Sequence, residues 1–380
     1  MRALIVEDGY SRGALAAARA LGSAGWAVGI GSRRRGLASS SRFTTYNHSI
    51  PLPYEDPDRF IEKINRAAVA VGYDVVFGAG DAEILALSKA RNELKVKVPY
   101  PDHEVVERAL DKLELARAAE RAGLSTPRTL EPKDIGAGLE PPILVKARLH
   151  SPPGTVGGQG RIEASVATTL ADARRRIARI EELGAAPLVQ DLVRGHLMAV
   201  VVLRDIDGKI VSCVQQEAEL IWPEAAGISV RARTVPVDED LRDGVSALLE
   251  DLSWYGLAEL QFVADDDGTA WLIDLNGRFY GSLALAVGAG PDLPTKWATL
   301  ATGAPHVGIA EATSGVRYQW LEGDLRRAFE ERRGGLARDV VDCLRYARGA
   351  KHSIWSSDDR WPAIRYIFEL GWRGIRKALA

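Results

Sequence analysis

The sequence predicts an α/β amino-terminal part followed by an α+β body, and three observations carry that prediction. Apolar runs at 2–6, 26–31 and 74–78 alternate with helical patterns at 12–24, 58–71 and 83–91, the rhythm of an open parallel, Rossmann-like sheet. Beyond residue 185 strand patterns follow one another, with Asp-Gly pairs at 207–208 and 267–268 as turn signals, the rhythm of antiparallel pairing. At 380 residues with a formal net charge of −2, the chain suits two or three domains and has no general basic surface for nucleic acid.

The first strand leads through Glu7-Asp8-Gly9-Tyr10-Ser11-Arg12-Gly13 into its helix. That turn lacks the G-x-G-x-x-G that lets a backbone approach a pyrophosphate, which disfavours a nicotinamide dinucleotide. Ser11 as a helix cap beside Arg12 suits a substrate anion; a plain capped helix fits the same residues. The apolar run at the start is too short for a signal peptide, and no window reaches a membrane span. Cys213 and Cys343 form no CxxC, so a reducing, cytoplasmic location without a zinc cluster is expected, and the six scattered histidines receive no role.

Residues 101–130 read as helical, with Asp111-Lys112 at the head of LDKLELARAAERAGL and Gly123 and Pro127 marking the end. The next strand, PPILVKA, places Lys146 in an apolar run, where an ammonium needs an anion or a cleft unless it snorkels to water. Gly154, Gly157, Gly158 and Gly160 then crowd a loop with the composition of a lid whose amides close over phosphates; a flexible hairpin tip has the same composition. A strand at 162–166, a helix at 170–183, strands at 187–193, 198–203 and 209–214, and a helix at 244–254 follow.

The hairpin over 257–279, LAELQFVADDDGTAWLIDLNGRF, is the most informative stretch. A two-residue Asp267-Gly268 turn pairs Asp266 with Thr269 and therefore sets Gln261 opposite Asp274. Alternation brings Asn276 and Arg278 to that same face and sends Leu260, Phe262, Ile273 and Leu275 to the other. A solvated strand face also carries Asp, Asn and Arg, but one fully apolar side does not explain the Asp-Leu-Asn-Gly-Arg run. Oxygen-only donors suit magnesium rather than zinc or copper.

In this order the pieces resemble the ATP-grasp superfamily, in the branch of carbamoyl-phosphate synthetase, biotin carboxylase and the carboxylate-amine ligases. The resemblance covers roughly 1–312 and implies an amino-terminal domain over 1–100, an ATP-grasp domain over 101–312 with its lid at about 142–195, and a helical carboxyl-terminal extension over 313–380. It implies ATP and Mg2+ as cofactors: Lys112, Lys146 and the lid glycines Gly157 and Gly158 on phosphates, Gln190, Leu192 and Val193 around adenine, and Gln261, Asp274 and Asn276 on magnesium. Arg278 would sit over the transferring phosphoryl group. Leu197, where many relatives have an acidic ribose contact, Gln216-Glu217, where they carry a cation, and Asp274 in place of the commoner Glu depart from the pattern, so positive charge is sought from Arg231 or Arg233. The implied reaction is acyl-phosphate formation from a small carboxylic acid and capture by an amine; an ATP-binding module without turnover is the alternative.

Residues 313–380 are rich in tryptophan and arginine, and Ile364, Ile367, Phe368, Trp372, Ile375 and Leu379 follow helical spacing opposite Arg365, Arg373, Arg376 and Lys377. This basic amphipathic helix is expected on the body of the protein or on a second subunit of a homo-oligomer, with an anionic membrane surface as the other reading.

Overall fold

The computed structural model describes residues 1–135, 139–149, 162, 164–223, 227–303 and 310–369. At the amino terminus β1 (Arg2–Val6), α1 (Arg12–Ser23), β2 (Ala27–Ser32), β3 (Thr44–Ser49), α2 (Pro57–Val71), β4 (Val75–Gly78) and α3 (Asp81–Lys89) build a parallel sheet in the order β3-β2-β1-β4. The strand β3, Thr-Thr-Tyr-Asn-His-Ser, went unpredicted because it is a half-exposed edge without an apolar run. The helical stretch at 101–130 is two helices, α4 (His103–Leu110) and α5 (Lys112–Arg121). Asp111 separates them by accepting from the amides of Leu113 and Glu114, an N-cap that makes Lys112 the first residue of α5.

A small lobe follows, built from β5 (Thr129–Leu130), β6 (Ile143–Ala147), β7 (Ser165–Ala167), α6 (Leu170–Glu182) and β8 (Pro187–Asp191), in sheet order β5-β8-β6-β7. Ile143, Val145, Ala147, Ala173, Ile177 and Val189 form a core of its own. Leu144 and Lys146 alternate to the other face of β6 and line a cleft. The glycines at 154, 157, 158 and 160, the expected lid, lie outside the described residues.

The body is an eight-stranded sheet of β9 (His196–Arg204), β10 (Ile210–Trp222), β11 (Ile228–Val235), β12 (Gly256–Ala264), β13 (Ala270–Asn276), β14 (Ala310–Glu311), β15 (Arg317–Gln319) and β16 (Lys351–His352). Its order is β13-β12-β9-β10-β11-β15-β16, with β14 beside β10. It is flanked by α7 (Glu239–Asp251), α8 (Leu283–Gly288), α9 (Leu293–Ala301), α10 (Leu321–Glu331) and α11 (Leu336–Ala347). One apolar core runs from the amino-terminal sheet into this body. At the junction Phe77, Tyr100, Phe279 and Trp297 pack ring against ring, with centroids 4.7–5.4 Å apart.

The carboxyl-terminal region differs from the helical extension expected of it. Its strands β15 and β16 extend the sheet beyond β11, and α10 and α11, which lie between them in the chain, pack beside it. The last described helix, 361–369, buries Pro362 and Ala363, half-buries Ile364 and leaves Ile367 and Phe368 about two-thirds exposed, so these last two do not pack on the body of the chain. Trp372, Ile375 and Leu379, with the basic residues at 373, 376 and 377, lie outside the described residues. Among the described residues no helix is long and apolar enough to cross a membrane.

Candidate active site

The cleft, about 1070 Å³, lies between the small lobe, the face of the large sheet and the carboxyl ends of β1 and β4. Its floor is the β12–β13 hairpin, whose geometry departs from expectation twice. The turn is longer: Asp265 pairs with Thr269, so three residues rather than two make the loop, with Gly268 at φ 84°. The Asp265 side chain enforces this by accepting from the amides of Asp267 and Thr269 and from the Trp271 indole. A bulge at Ile273 then restores the expected pair, Gln261 with Asp274, and sets Glu259 opposite Asn276. The extra residue Ile273 joins Asp274 in lining the cleft, so Ile273 does not stand on the apolar face assigned to it; Leu272 pairs with Phe262 there instead.

Register places Asp274, Gln261, Ala199 and Gln216 in one file across four strands, with Asn276 and Glu259 beside it. The sequence reading missed Glu259. It stands two residues before Gln261 on the same strand, which is the alternation signal that could have found it. Its carboxylate is buried, accepts from Asn276 Nδ2 at 2.9 Å, and lies 3.4 Å from both Gln261 Nε2 and Gln216 Nε2. Burial, helped by the nearby Asp274, pushes its carboxyl up to about 7 against the pull of Arg278 and Asn276.

Two lysines face this floor. Lys112 Nζ is 3.4 Å from Asp274 Oδ1, is buried and makes no hydrogen bond. Its position is held by Arg148, whose carbonyl accepts from the Lys112 amide while its guanidinium pairs with Asp111 at 2.5 Å. Lys146 Nζ donates to the Ile273 carbonyl at 3.3 Å. Burial first, and then the charge of Lys112, lower its pKa to about 7, with Asp274 opposing. Two buried ammoniums with so few acceptors are suited to an anion between them.

Gln190 is buried in the lobe wall with its Nε2 on Thr129 Oγ1 at 2.7 Å, and Leu192 and Val193 follow it along the cleft. Leu197 pairs with Val263 in an apolar file of the floor. Gln216 is in mid-strand, not at a strand end, and donates to Ser282 Oγ at 2.8 Å. Arg278 reaches the cleft as expected: its Nε donates to Asp81 Oδ1 at 2.6 Å and an Nη to Asn276 Oδ1 at 2.8 Å, tying the hairpin to the start of α3.

Arg231 does not belong to this site. Alternation along β11 sends it to the opposite face, where it pairs with Asp324 at 2.6 Å and Asp342 at 2.7 Å and stacks on Tyr346. Arg233, on that same face, pairs with Glu217. The positive charge sought from them is absent from the cleft lining, where Arg12, Arg194 and Arg278 are the arginines among the described residues.

The donor set fits magnesium. Two carboxylates, Glu259 and Asp274, and two carboxamides, Gln261 and Asn276, share one face and carry hard oxygens, that of Asn276 also accepting from Arg278.

Comparison with known proteins agrees with this architecture. Residues 186–324 match a family described as ATP-grasp in the biosynthetic pathway with Ter operon. Among solved structures, the chain is similar to the biotin carboxylase domain of Hydrogenobacter thermophilus 2-oxoglutarate carboxylase, a dimer complexed with MgADP and bicarbonate (TM-score 0.64, 16% identity, 83% of this chain and 73% of that one). It is similar to N5-carboxyaminoimidazole synthetase from Staphylococcus aureus (0.65, 14%, 87% and 86%) and to L-amino acid ligase from Bacillus licheniformis (0.61, 14%, 80% and 75%). None of the curated proteins matches the sequence.

Proposed function

We propose, from the premise that this chain is a member of the ATP-grasp superfamily, that it is an ATP- and magnesium-dependent ligase that activates a small carboxylic acid as an acyl phosphate for capture by an amine. The observation that carries the reading is the convergence in one cleft of two buried lysines with few acceptors, two carboxylates, two carboxamides and a buried arginine. Lys112 and Lys146 hold the nucleotide phosphates, and the base lies against Gln190, Leu192 and Val193. Glu259, Gln261, Asp274 and Asn276 would hold magnesium, which when bound spreads the charge of the transferring phosphoryl group. Arg278, held by Asp81 and Asn276, orients the acid with a planar fork next to the phosphates.

Phosphate release from ATP, measured with magnesium and a pool of amino acids supplying both carboxylates and amines, tests the proposal. Asp274→Ala is expected to reduce release roughly a hundredfold or more while the chain stays folded. An ATP-binding module without turnover is the second reading, favoured by Gln216 standing where a cation was expected and by the prior engagement of Arg278. ATP binding with no release under any acceptor would establish that reading instead.

A further inference from the structure

Arg278 divides the cleft. On one side lie the lysines and the hairpin floor; on the other the walls come from the amino-terminal domain, where Asp8 follows β1 and Asp81 and Glu83 open α3. The segment 279–282 closes this end, and its fit is tight: a Cβ on Gly13, in the first turn of α1, would come within 2.4 Å of the Phe279 carbonyl oxygen.

Glu83 is 5% exposed, and its carboxylate accepts a hydrogen bond from its own backbone amide. Asp81, beside it, is committed to Arg278. Burial, with the charges of Asp8 and Asp81, pushes the Glu83 carboxyl up to about 7, against the pull of Arg278. A buried carboxylate on a cleft wall with its own amide as donor is still costly unless a cation reaches it. Two buried atoms of the same cleft have no partner, the Tyr280 hydroxyl and Gln216 Oε1. They belong to different elements from Glu83, and both call for a polar ligand.

We infer that this end of the cleft is the amine subsite, in which Glu83 holds a primary ammonium group while Tyr280 and Gln216 hydrogen-bond the rest of the molecule. The inference deepens the ligase reading, and rests on it for the reaction but not for the charge argument. Arg278 then stands between the two substrates, with the acid and phosphates on one side and the amine on the other. A purely structural role for Glu83 also exists, since a carboxylate in the first turn of a helix is favoured by the helix dipole.

The test is calorimetric titration of the full chain, preloaded with MgADP, with ethanolamine, putrescine and L-lysine as probes. At least one is expected to bind, and Glu83→Gln is expected to weaken it tenfold or more while leaving ADP affinity within twofold. Binding to the wild type near pH 7 should release protons, read from the dependence of the heat on buffer, and that release should vanish in Glu83→Gln. Tyr280→Phe should weaken the same probe several-fold. Should Glu83→Gln lose ADP as well, Asp8→Asn, at an exposed position, replaces it, with weakening expected in the same direction. Failure of all three amines to bind, or equal binding by wild type and variant, overturns the inference. Phosphate release read on the same preparations separates the two claims: release without amine binding sinks only the subsite, whereas amine binding at Glu83 without release under any acid sinks the ligase reading.

Discussion

Glu7 lies beneath the first turn of α1, one carboxylate oxygen accepting from the amides of Gly9 and Ser11 and the other buried without a partner. Burial, followed by the charge of Asp8, raises its carboxyl from the ordinary 4.5 to about 8. Between those values the folded chain keeps a proton that the unfolded chain has lost. Its stabilising contribution is therefore complete below pH 4.5 and is lost as the pH rises through 8. Glu83 and Glu259 act in the same direction between 4.5 and about 7. Lys146 acts oppositely, since its folded value near 7 lies below the ordinary 10.5 and stability gains as the pH rises between them. Glu7→Gln is expected to flatten the fall of Tm between pH 4.5 and 8 and to stabilise the protein at pH 8 by a few kcal/mol, each tenfold change in proton affinity being worth roughly 1.4 kcal/mol. Parallel Tm profiles for the two proteins would mean that Glu7 ionises freely. Lys146 was legible in the sequence because a lysine inside ILVKA breaks an apolar run. Arg231 was misread because the side an alternating residue faces is known only once its strand is placed, and β11, a mixed run of Ser, Arg and Thr among apolar residues, was not predicted.

The hairpin separates what pattern can and cannot reveal at the level of elements. The pairing of Gln261 with Asp274 follows from the sequence, but by two departures that offset each other: a loop one residue longer and a strand one residue richer. The Asp-Gly pair signals a tight turn; that Asp265 collects two amides and an indole, and so draws a third residue into the loop, is visible only in three dimensions. Gly268 adopts a left-handed conformation with nothing near its Cβ position, so backbone preference alone opposes a side chain there. Gly268→Ala is accordingly expected to cost about 1 kcal/mol and to leave ADP affinity unchanged. Chemical denaturation beside ADP titration checks both, and a change in affinity would show that the turn communicates with the site. The parallel character of β1, β2 and β4 and the helix head at Asp111-Lys112 were legible for the same reason, strong local periodicity and caps.

On the scale of the whole molecule, the residues after 350 fasten the carboxyl-terminal region to the first domain. Asp359, fully buried at its side chain, accepts from Arg19 Nε at 2.9 Å, Ser41 Oγ at 2.6 Å and the Arg42 amide at 2.9 Å. Removing it strands a largely buried guanidinium, a loss of roughly 3 kcal/mol or more. Asp359→Ala is thus expected to hasten proteolysis within 350–369 while the nucleotide site persists; unchanged cleavage would mean that apolar packing suffices to hold the segment. Such a tie between distant stretches has no periodicity, and the sequence carries no sign of it.

The path of the sheet past β11 adds a colloidal constraint. Residues 317–319 pair with Arg231, Ala232 and Arg233 along what would otherwise be an open margin, and residues 351–352 pair in turn with β15. A chain cut at 316 would present the backbone groups of Arg231, Ala232 and Arg233 bare to any neighbour able to add a strand. The tryptophan- and arginine-rich region is in this sense a selvage: it finishes the edge of the fabric and keeps one molecule from being woven into the next.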